Sequence, residues 1–507
     1  VDAFILARII CGSRKGIGVE SRLRKLLISY FNEEDGLSYR PKPARKYKQE
    51  IAERVYDEHI AEGFDQSKTL RGLCTWYEYT KEKKAKEYLN KLIDGLYRVA
   101  IKKDNYIYYA HAKFKPGYEP QNNEKPIKAM VYYGGSQILS LLKAHELTHN
   151  RKALKLARGL TRYIINHSGF GKTGTFGFRD FREDGHTHSH IEAIAGIIKY
   201  GMISGEKKFI RWGSRAFEWF LKKHGSSIGW FPEWIKHGEE KKQGCETCTI
   251  SDCVDAAILL AKSGYEKHWD VAERVARNHL VEQQLNDVSL MKSSSKTNKI
   301  YFSSTKNIPR RVRGAFAGWG GVNDFVGPHV FSRRLMNCCG PAGLHAMYLI
   351  WHNSVTKNKN GIFVNIAINR DTPYLKLRSY EPYQGKIEIK LLKSDNLFIR
   401  IPDWAGKKEV NLSVNDVRVT CRWQGSYLFI SNLKKNTEII ITYPLRKVEE
   451  EEIIGGRKFS IKWRGNTIVS IHPKGKVYPL YQRKYLDTKE VIYKKSDLVS
   501  CNHEIDW

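Results

Sequence analysis

Ile197-Ile198-Lys199-Tyr200-Gly201-Met202-Ile203-Ser204-Gly205-Glu206-Lys207-Lys208-Phe209-Ile210-Arg211-Trp212-Gly213-Ser214-Arg215-Ala216-Phe217-Glu218-Trp219-Phe220 reads as two helices with a turn between them. Phe209, Trp212, Ala216, Phe217 and Phe220 recur at the spacing of one helical face. Gly205 fits the left-handed position that closes a helix before a turn. The same design, an apolar helix end, a polar turn and a second amphipathic helix, recurs three more times. It is found at Trp76–Leu96 around Lys81-Glu82, at Leu141–Ile164 around His149-Asn150 and at Ile258–Leu280 around Ser263-Gly264. Turns spaced by roughly 55 to 70 residues define a helical hairpin repeat, which builds either an open solenoid or a closed toroid.

The connecting stretches favour the toroid. His111 to Pro126, Gly169 to Ser189 and Gly229 to Cys245 are rich in Gly, aromatic residues and His. Loops of that length in a compact helical domain are usually functional, and a toroid gathers them at one mouth. From about Asn358 the period changes to two. Phe363 to Ile368, Ile387 to Leu391 and Glu438 to Tyr443 alternate and are β-branched, the pattern of a β-sandwich. The expected fold is therefore mainly α with a β domain: residues 1–355 form a helical toroid and residues 356–507 a C-terminal β-sandwich. The acidic run Val448 to Glu452 reads as a linker.

The chain has 507 residues, too many for one compact core, and its 41% hydrophobic content is that of a packed globular protein. Its 86 basic and 54 acidic residues leave a net charge of +32. The basic residues are spread along the chain in short runs mixed with acids, which describes a lysine-rich solvated surface better than a nucleic-acid footprint. Nine cysteines, an odd and clustered set, argue against a disulfide framework and for a reducing compartment, so the cytoplasm is the expected location. No apolar run is long enough for a membrane span. The chain begins at Val1 without Met, compatible with a processed or truncated start. Oligomeric state is not encoded in any pattern of this kind.

The chemistry concentrates in two places, Cys245-Glu246-Thr247-Cys248 and Asn337-Cys338-Cys339-Gly340-Pro341. Several thiols and a carboxylate form the donor set that zinc takes, soft sulfur with one hard oxygen. Buried inert cysteines, or a structural four-cysteine site of Cys245, Cys248, Cys338 and Cys339, are the plainer readings. Glu233, within Gly229-Trp230-Phe231-Pro232-Glu233-Trp234, is a carboxylate whose aromatic neighbours would desolvate it and suit it to general acid catalysis. Asp252 and Glu246 are its rivals.

These residues resemble glycoside hydrolase family 127, the β-L-arabinofuranosidases and their relatives. The resemblance rests on Cys245-Glu246-Thr247-Cys248, on Cys338-Cys339-Gly340-Pro341 before a helix, and on Ile401-Pro402-Asp403-Trp404-Ala405. It is strongest from about 185 to 350 and continues to about 450. It implies an (α/α)6 barrel ahead of β-sandwich domains. It also implies zinc held by Glu246, Cys248, Cys338 and Cys339, with Cys338 as nucleophile in a retaining double displacement on a terminal sugar. The family's acid/base glutamate lies upstream of its Glu-x-Cys motif, which leaves Glu233 or alternatively Glu239 or Glu240. His186-Thr187-His188 stands where the family has His-x-Asn, so His186 matches a sugar contact and His188 replaces an amide. Trp230 joins these two as an expected sugar contact, and Cys245 has no counterpart. Two other functions fit the same residues: a non-catalytic carbohydrate-binding or scaffold protein with structural zinc, and an enzyme for anionic sugars.

Overall fold

The computed structural model describes residues 1–31, 33–40, 59–170, 185–235, 242–289, 297–298, 303–304, 307–327, 335–487, 498–501 and 503–507. Its helices are α1 (Asp2–Cys11), α2 (Ile17–Ser29), α3 (Gly63–Thr80), α4 (Lys83–Val99), α5 (Met130–Tyr133), α6 (Ile138–Thr148) and α7 (Arg151–Asn166). They continue with α8 (Thr187–Ser204), α9 (Lys207–His224), α10 (Thr247–Lys262), α11 (His268–Val275), α12 (Ile308–Val312) and α13 (Cys339–Ser354).

All four expected hairpin turns are present. Lys81 and His149 adopt left-handed backbone, as do Gly205 and Gly264. Asn150 caps α7, its side chain accepting from the N–H groups of Lys152 (2.9 Å) and Ala153 (3.2 Å). Helices α1, α3, α6, α8, α10 and α13 touch in that order, and α13 returns to α1. Six inner helices therefore close a ring. Helix α8 is buried from Thr187 to Gly201 and α10 from Thr247 to Ala261, as inner helices must be. By contrast α7 buries one stripe, Ala153, Leu156, Ala157, Leu160 and Ile164, and lies outside the ring. Close approach of α6 and α8 requires glycine at 196, where an added Cβ would stand 2.8 Å from the Cβ of Ile138. No helix among the described residues is long and apolar enough to cross a membrane.

The first helix was not foreseen as part of the ring. Its apolar residues Ile5, Leu6 and Ile9 are buried, and it fills the gap between α13 and α3. At the far end of the ring, residues 503–507 pack beneath the helix C-termini. Tyr348 Oη donates to Ile505 O (2.6 Å) and accepts from Ile505 N (2.9 Å), and the Trp507 ring lies 5.7 Å from that of His345.

Two sheets follow α13. One runs Val417–Val419, Asn411–Val414, Glu438–Thr442, Lys386–Leu391, Leu375–Ser379, Arg370–Asp371. The other runs Trp423–Gln424, Tyr427–Leu433, Asp395–Arg400, Gly361–Val364, Val355–Asn358. Leu375, Leu377, Ile387, Ile389, Leu397, Ile399, Ile439 and Ile441 form the core between them, the inward half of each alternating strand. The run Val448 to Glu452 is not a linker. It lies in the strand Lys447–Ile454, which pairs along its length with Arg457–Arg464, itself paired to Thr467–His472. An outer strand keeps acidic side chains in water, which disfavours pairing with another chain; charge alone therefore mimics a linker in the sequence.

Arg400 joins the sandwich to the ring. It is buried on Asp395–Arg400, pairs with Asp270 of α11 at 2.8 Å and also with Glu273. Removing the guanidinium would leave buried Asp270 without its cation and Glu273 with Arg277 alone. Arg400→Met should cost roughly 3–5 kcal/mol, read in urea as early loss of the sandwich; a change under about 1 kcal/mol would mean that the pair does not hold the two parts together.

Candidate active site

The inner helices α8, α10 and α13 all present their N-termini at one end of the ring. Glu246 is the residue ahead of α10 and Cys248 its second residue; Cys338 is the residue ahead of α13 and Cys339 its first. Pro341 falls in the first turn of α13, where its missing N–H costs nothing. Cys245 exchanges backbone hydrogen bonds with Gly320 (2.7 and 3.0 Å), and Thr247 Oγ1 donates to Ala317 O (2.7 Å), so the start of α10 is tied to the 317–320 segment. The Cys245 thiol turns away from the ring and accepts from the Phe231 N–H at 3.4 Å.

Sulfur and oxygen then converge. Cys248 Sγ is 3.8 Å from Cys339 Sγ, and Cys338 Sγ is 3.7 Å from Cys339 Sγ. Glu246 Oε1 is 3.4 Å from Cys338 Sγ and 3.8 Å from Cys339 Sγ. A tetrahedral zinc with bonds of about 2.3 Å to sulfur and 2.1 Å to oxygen has S···S edges of about 3.8 Å and S···O edges of about 3.6 Å. Four of the six edges have that spacing and all lie within 4.8 Å, so the donor set fits the ion in both chemistry and size. Glu246 Oε2 is buried without a hydrogen-bond partner, 3.4 Å from His186 Nε2. Cys248 and Cys339 are buried, whereas Cys338 is open. Hydrogen bonds from Cys248 and Cys339 pull the Cys338 thiol far below its ordinary range, while the same contacts, with burial, push Cys248 well above it. One sulfur thus carries the negative charge most readily, and the positive ends of α10 and α13 favour it further.

The expected acid/base stands next to this cluster. Glu233 is buried; its N–H donates to Gly244 O and its carbonyl accepts from Thr187 N–H, each at 2.9 Å. Its loop is thereby strapped between the approach to α10 and the start of α8. His186 Nε2 lies 4.0 Å from Glu233 Oε1, so the imidazole stands between Glu233 and Glu246. His188 Nδ1 is hydrogen-bonded to Asp252. Burial, with the charge of Lys68, pushes His188 down to about 4, and burial pushes Asp252 well above the usual carboxylate range. The imidazole is neutral at pH 7. Asp252 is spent on His188 and is a poor candidate for the acid/base.

The structure places His186, Glu233, Glu246, Cys248, Cys338 and Cys339 as neighbours. Trp230 is placed elsewhere: it is buried, its Nε1 donates to Gly320 O at 3.3 Å, and it lines a separate cavity of about 340 Å³ with Gln243, Val322, Asp324 and Phe459. Glu239 and Glu240 lie outside the described residues. Several neighbours of the site were missed. The Tyr132 ring lies 5.7 Å from His186 and stacks on Phe64 at 4.9 Å, and Phe64 lies 5.8 Å from His188. Lys68 and Glu192 lie beside them. A glutamate inside the apolar run Ile191 to Ile198 was the available signal for Glu192.

Comparison with known proteins agrees with this architecture. Residues 22–224 match the family profile described as β-L-arabinofuranosidase, GH127 catalytic domain; the match covers α2 to α9 with His186 and His188, and ends before Glu246. A GH127 β-L-arabinofuranosidase from Geobacillus stearothermophilus T6 has the same fold, with TM-score 0.62 and 14% identity over 92% of this chain and 74% of that one. A second solved structure, titled as a glycoside hydrolase, gives TM-score 0.61 and 13% identity over 92% of this chain and 76% of that one. A third, titled as a GH127 β-arabinofuranosidase, gives TM-score 0.53 and 15% identity over 92% and 82%. No curated protein matches the chain by sequence.

The geometry predicts about one thiophilic divalent ion per chain after exhaustive dialysis, with Cys248→Ala and Cys339→Ala retaining under about a tenth of it and Cys245→Ala retaining all. Elemental analysis of each protein checks this. Full retention in Cys248→Ala, or loss in Cys245→Ala, would redraw the ligand set.

Proposed function

From the premise that residues 22–224 are a glycoside hydrolase family 127 catalytic domain, we propose that the chain is a retaining β-L-arabinofuranosidase-like enzyme with Cys338 as its nucleophile. The match of residues 22–224 to the family profile supports glycoside hydrolysis; the retaining course, the cysteine, the zinc and the sugar are the finer parts of the proposal. Its principal support is the clustering of Glu246, Cys248, Cys338 and Cys339 with only Cys338 open to a substrate. Zinc held by those four residues would keep the thiolates ionised near neutrality.

Retaining glycosidases divide the work between a nucleophile and an acid/base on opposite sides of the scissile bond. Cys338 attacks the anomeric carbon, its lone pair forming the C–S bond as the C–O bond to the leaving group breaks. Glu233 gives its proton to the departing oxygen. Water then enters, loses its proton to Glu233 and attacks the same carbon, so the C–S bond breaks and the sulfur recovers its electron pair. Glu233 is buried, with its carbonyl hydrogen-bonded to the start of α8, and in this scheme it carries the proton before the first step. His186 and His188 contact the sugar, whereas Trp230, buried against Gly320, takes no part in binding it. Nine free cysteines support a reducing location, the cytoplasm.

Cys338→Ala should lower kcat on aryl furanosides by about 10⁴-fold or more while the protein stays folded. Retained turnover would remove Cys338 from the nucleophile's place and favour a purely structural cluster. Glu233→Gln separates the two steps. Substrates with poor leaving groups should slow by about 10³-fold, activated aryl glycosides by far less, and azide should restore part of the loss. Equal losses on both substrate types without rescue would move the acid/base role away from Glu233.

A further inference from the structure

Lys68 and Glu192 stand in the lumen of the ring, about one helical turn below the metal cluster. Lys68 belongs to α3 and Glu192 to α8, and α6 separates these helices in the ring. Their ion pair, 2.7 Å from Nζ to Oε1, therefore joins two helices that are not neighbours in the ring. Glu192 follows His188 by four residues on α8, which places it on the same face and about 6 Å deeper. Lys68 Nζ lies 4.6 Å from the centre of the Phe64 ring, and Phe64 in turn packs against His188. The pair is therefore continuous with the wall that carries the two expected sugar contacts.

A purely structural ion pair satisfies its own atoms, and this one does not. Glu192 Oε2 is buried and has no hydrogen-bond partner, although its other oxygen is paired. Lys68 keeps 35% of its side chain accessible, although it points into the ring. An ammonium offers three N–H donors, and Glu192 Oε1 takes only one. A buried acceptor and a partly accessible donor thus remain side by side, with no net charge between them. Hydroxyl groups match that combination, because each can give a proton to one partner and take one from the other. A carboxylate does not, since Glu192 would repel it.

We propose that Lys68 and Glu192 form a clamp for two hydroxyl groups on the side of the sugar ring remote from the anomeric carbon, which makes the substrate an uncharged terminal sugar. The inference rests on Cys338 as nucleophile. With the anomeric carbon at Cys338, a furanose extends into the lumen by roughly one helical turn, about 5 Å. Its C3 and C5 hydroxyls then reach the pair.

The zinc-loaded enzyme is assayed on p-nitrophenyl β-L-arabinofuranoside and on its 3-deoxy and 5-deoxy counterparts, for wild type, Glu192→Gln and Lys68→Met. Wild type should prefer the parent over either deoxy substrate by about 10- to 100-fold in kcat/KM, the range for a hydroxyl held by a charged group. In both variants that preference should fall below about threefold, because the parent loses rate that the deoxy substrates never had. Each ratio is taken within one protein preparation, so partial unfolding of a variant cancels. A preference that survives in both variants, or equal losses on all three substrates, overturns the clamp. Wild type acting on all three at similar rates overturns the clamp alone. Wild type acting on none of them contradicts the function proposed above, and the clamp with it.

Discussion

Three sulfurs and a carboxylate oxygen are held within 4.8 Å of one another at the end of a helical ring, and that crowding constrains everything around it. Such donors repel when ionised, and burying them without a cation is costly. The ring meets the constraint by geometry. Helices α10 and α13 end their approach at the same place with their positive ends inward, and Glu246 and Cys338 sit just ahead of the first turns. A zinc-sized gap is what remains between the four atoms. The site is thus a consequence of helix packing, since shifting α13 against α10 by one residue would carry Cys338 and Cys339 out of reach.

The rest of the molecule serves that placement. Helix α1 completes the ring between α13 and α3, and the 503–507 segment braces α13 from beneath through Tyr348 and Trp507. Arg400 fixes the sandwich against α11, which continues directly from the α10 hairpin. Near the site the polar side chains are paired between helices, His188 of α8 with Asp252 of the adjacent α10 and Lys68 of α3 with Glu192 of α8. A glycosidase needs such a floor, because sugars are recognised through hydroxyl groups that apolar side chains cannot satisfy.

Local pattern made much of this legible. The hairpin turns at Lys81, His149, Gly205 and Gly264 were readable because left-handed caps and a change of helical face leave marks over a few residues. Alternation of β-branched residues marked the sandwich for the same reason. Cys338 and Cys339 stood out because two sulfurs before a Gly-Pro turn are chemically unusual. What escaped was long-range. Helix α1 carries no hairpin signal and becomes an inner helix only through contact with α13, at the other end of the toroid. Lys68 looks like any solvated lysine until α3 is seen to face α8 across the lumen. Trp230 shares a loop with Glu233, yet the chain turns between them and sends the indole toward Gly320. The acidic strand Lys447–Ile454 was mistaken because its charges report the solvent-facing side of a paired strand, and only its partner reveals the pairing.

The account turns on a covalent bond between sugar and sulfur. Rapid acid quenching during turnover of an activated aryl furanoside, followed by peptide mass spectrometry, tests it directly. The account predicts a gain of one glycosyl mass on the peptide carrying Cys338 and Cys339, localised to Cys338 and absent from Cys338→Ser protein. A glycosyl adduct on Glu233, or wild-type turnover with no adduct on any peptide in the burst phase, would contradict it.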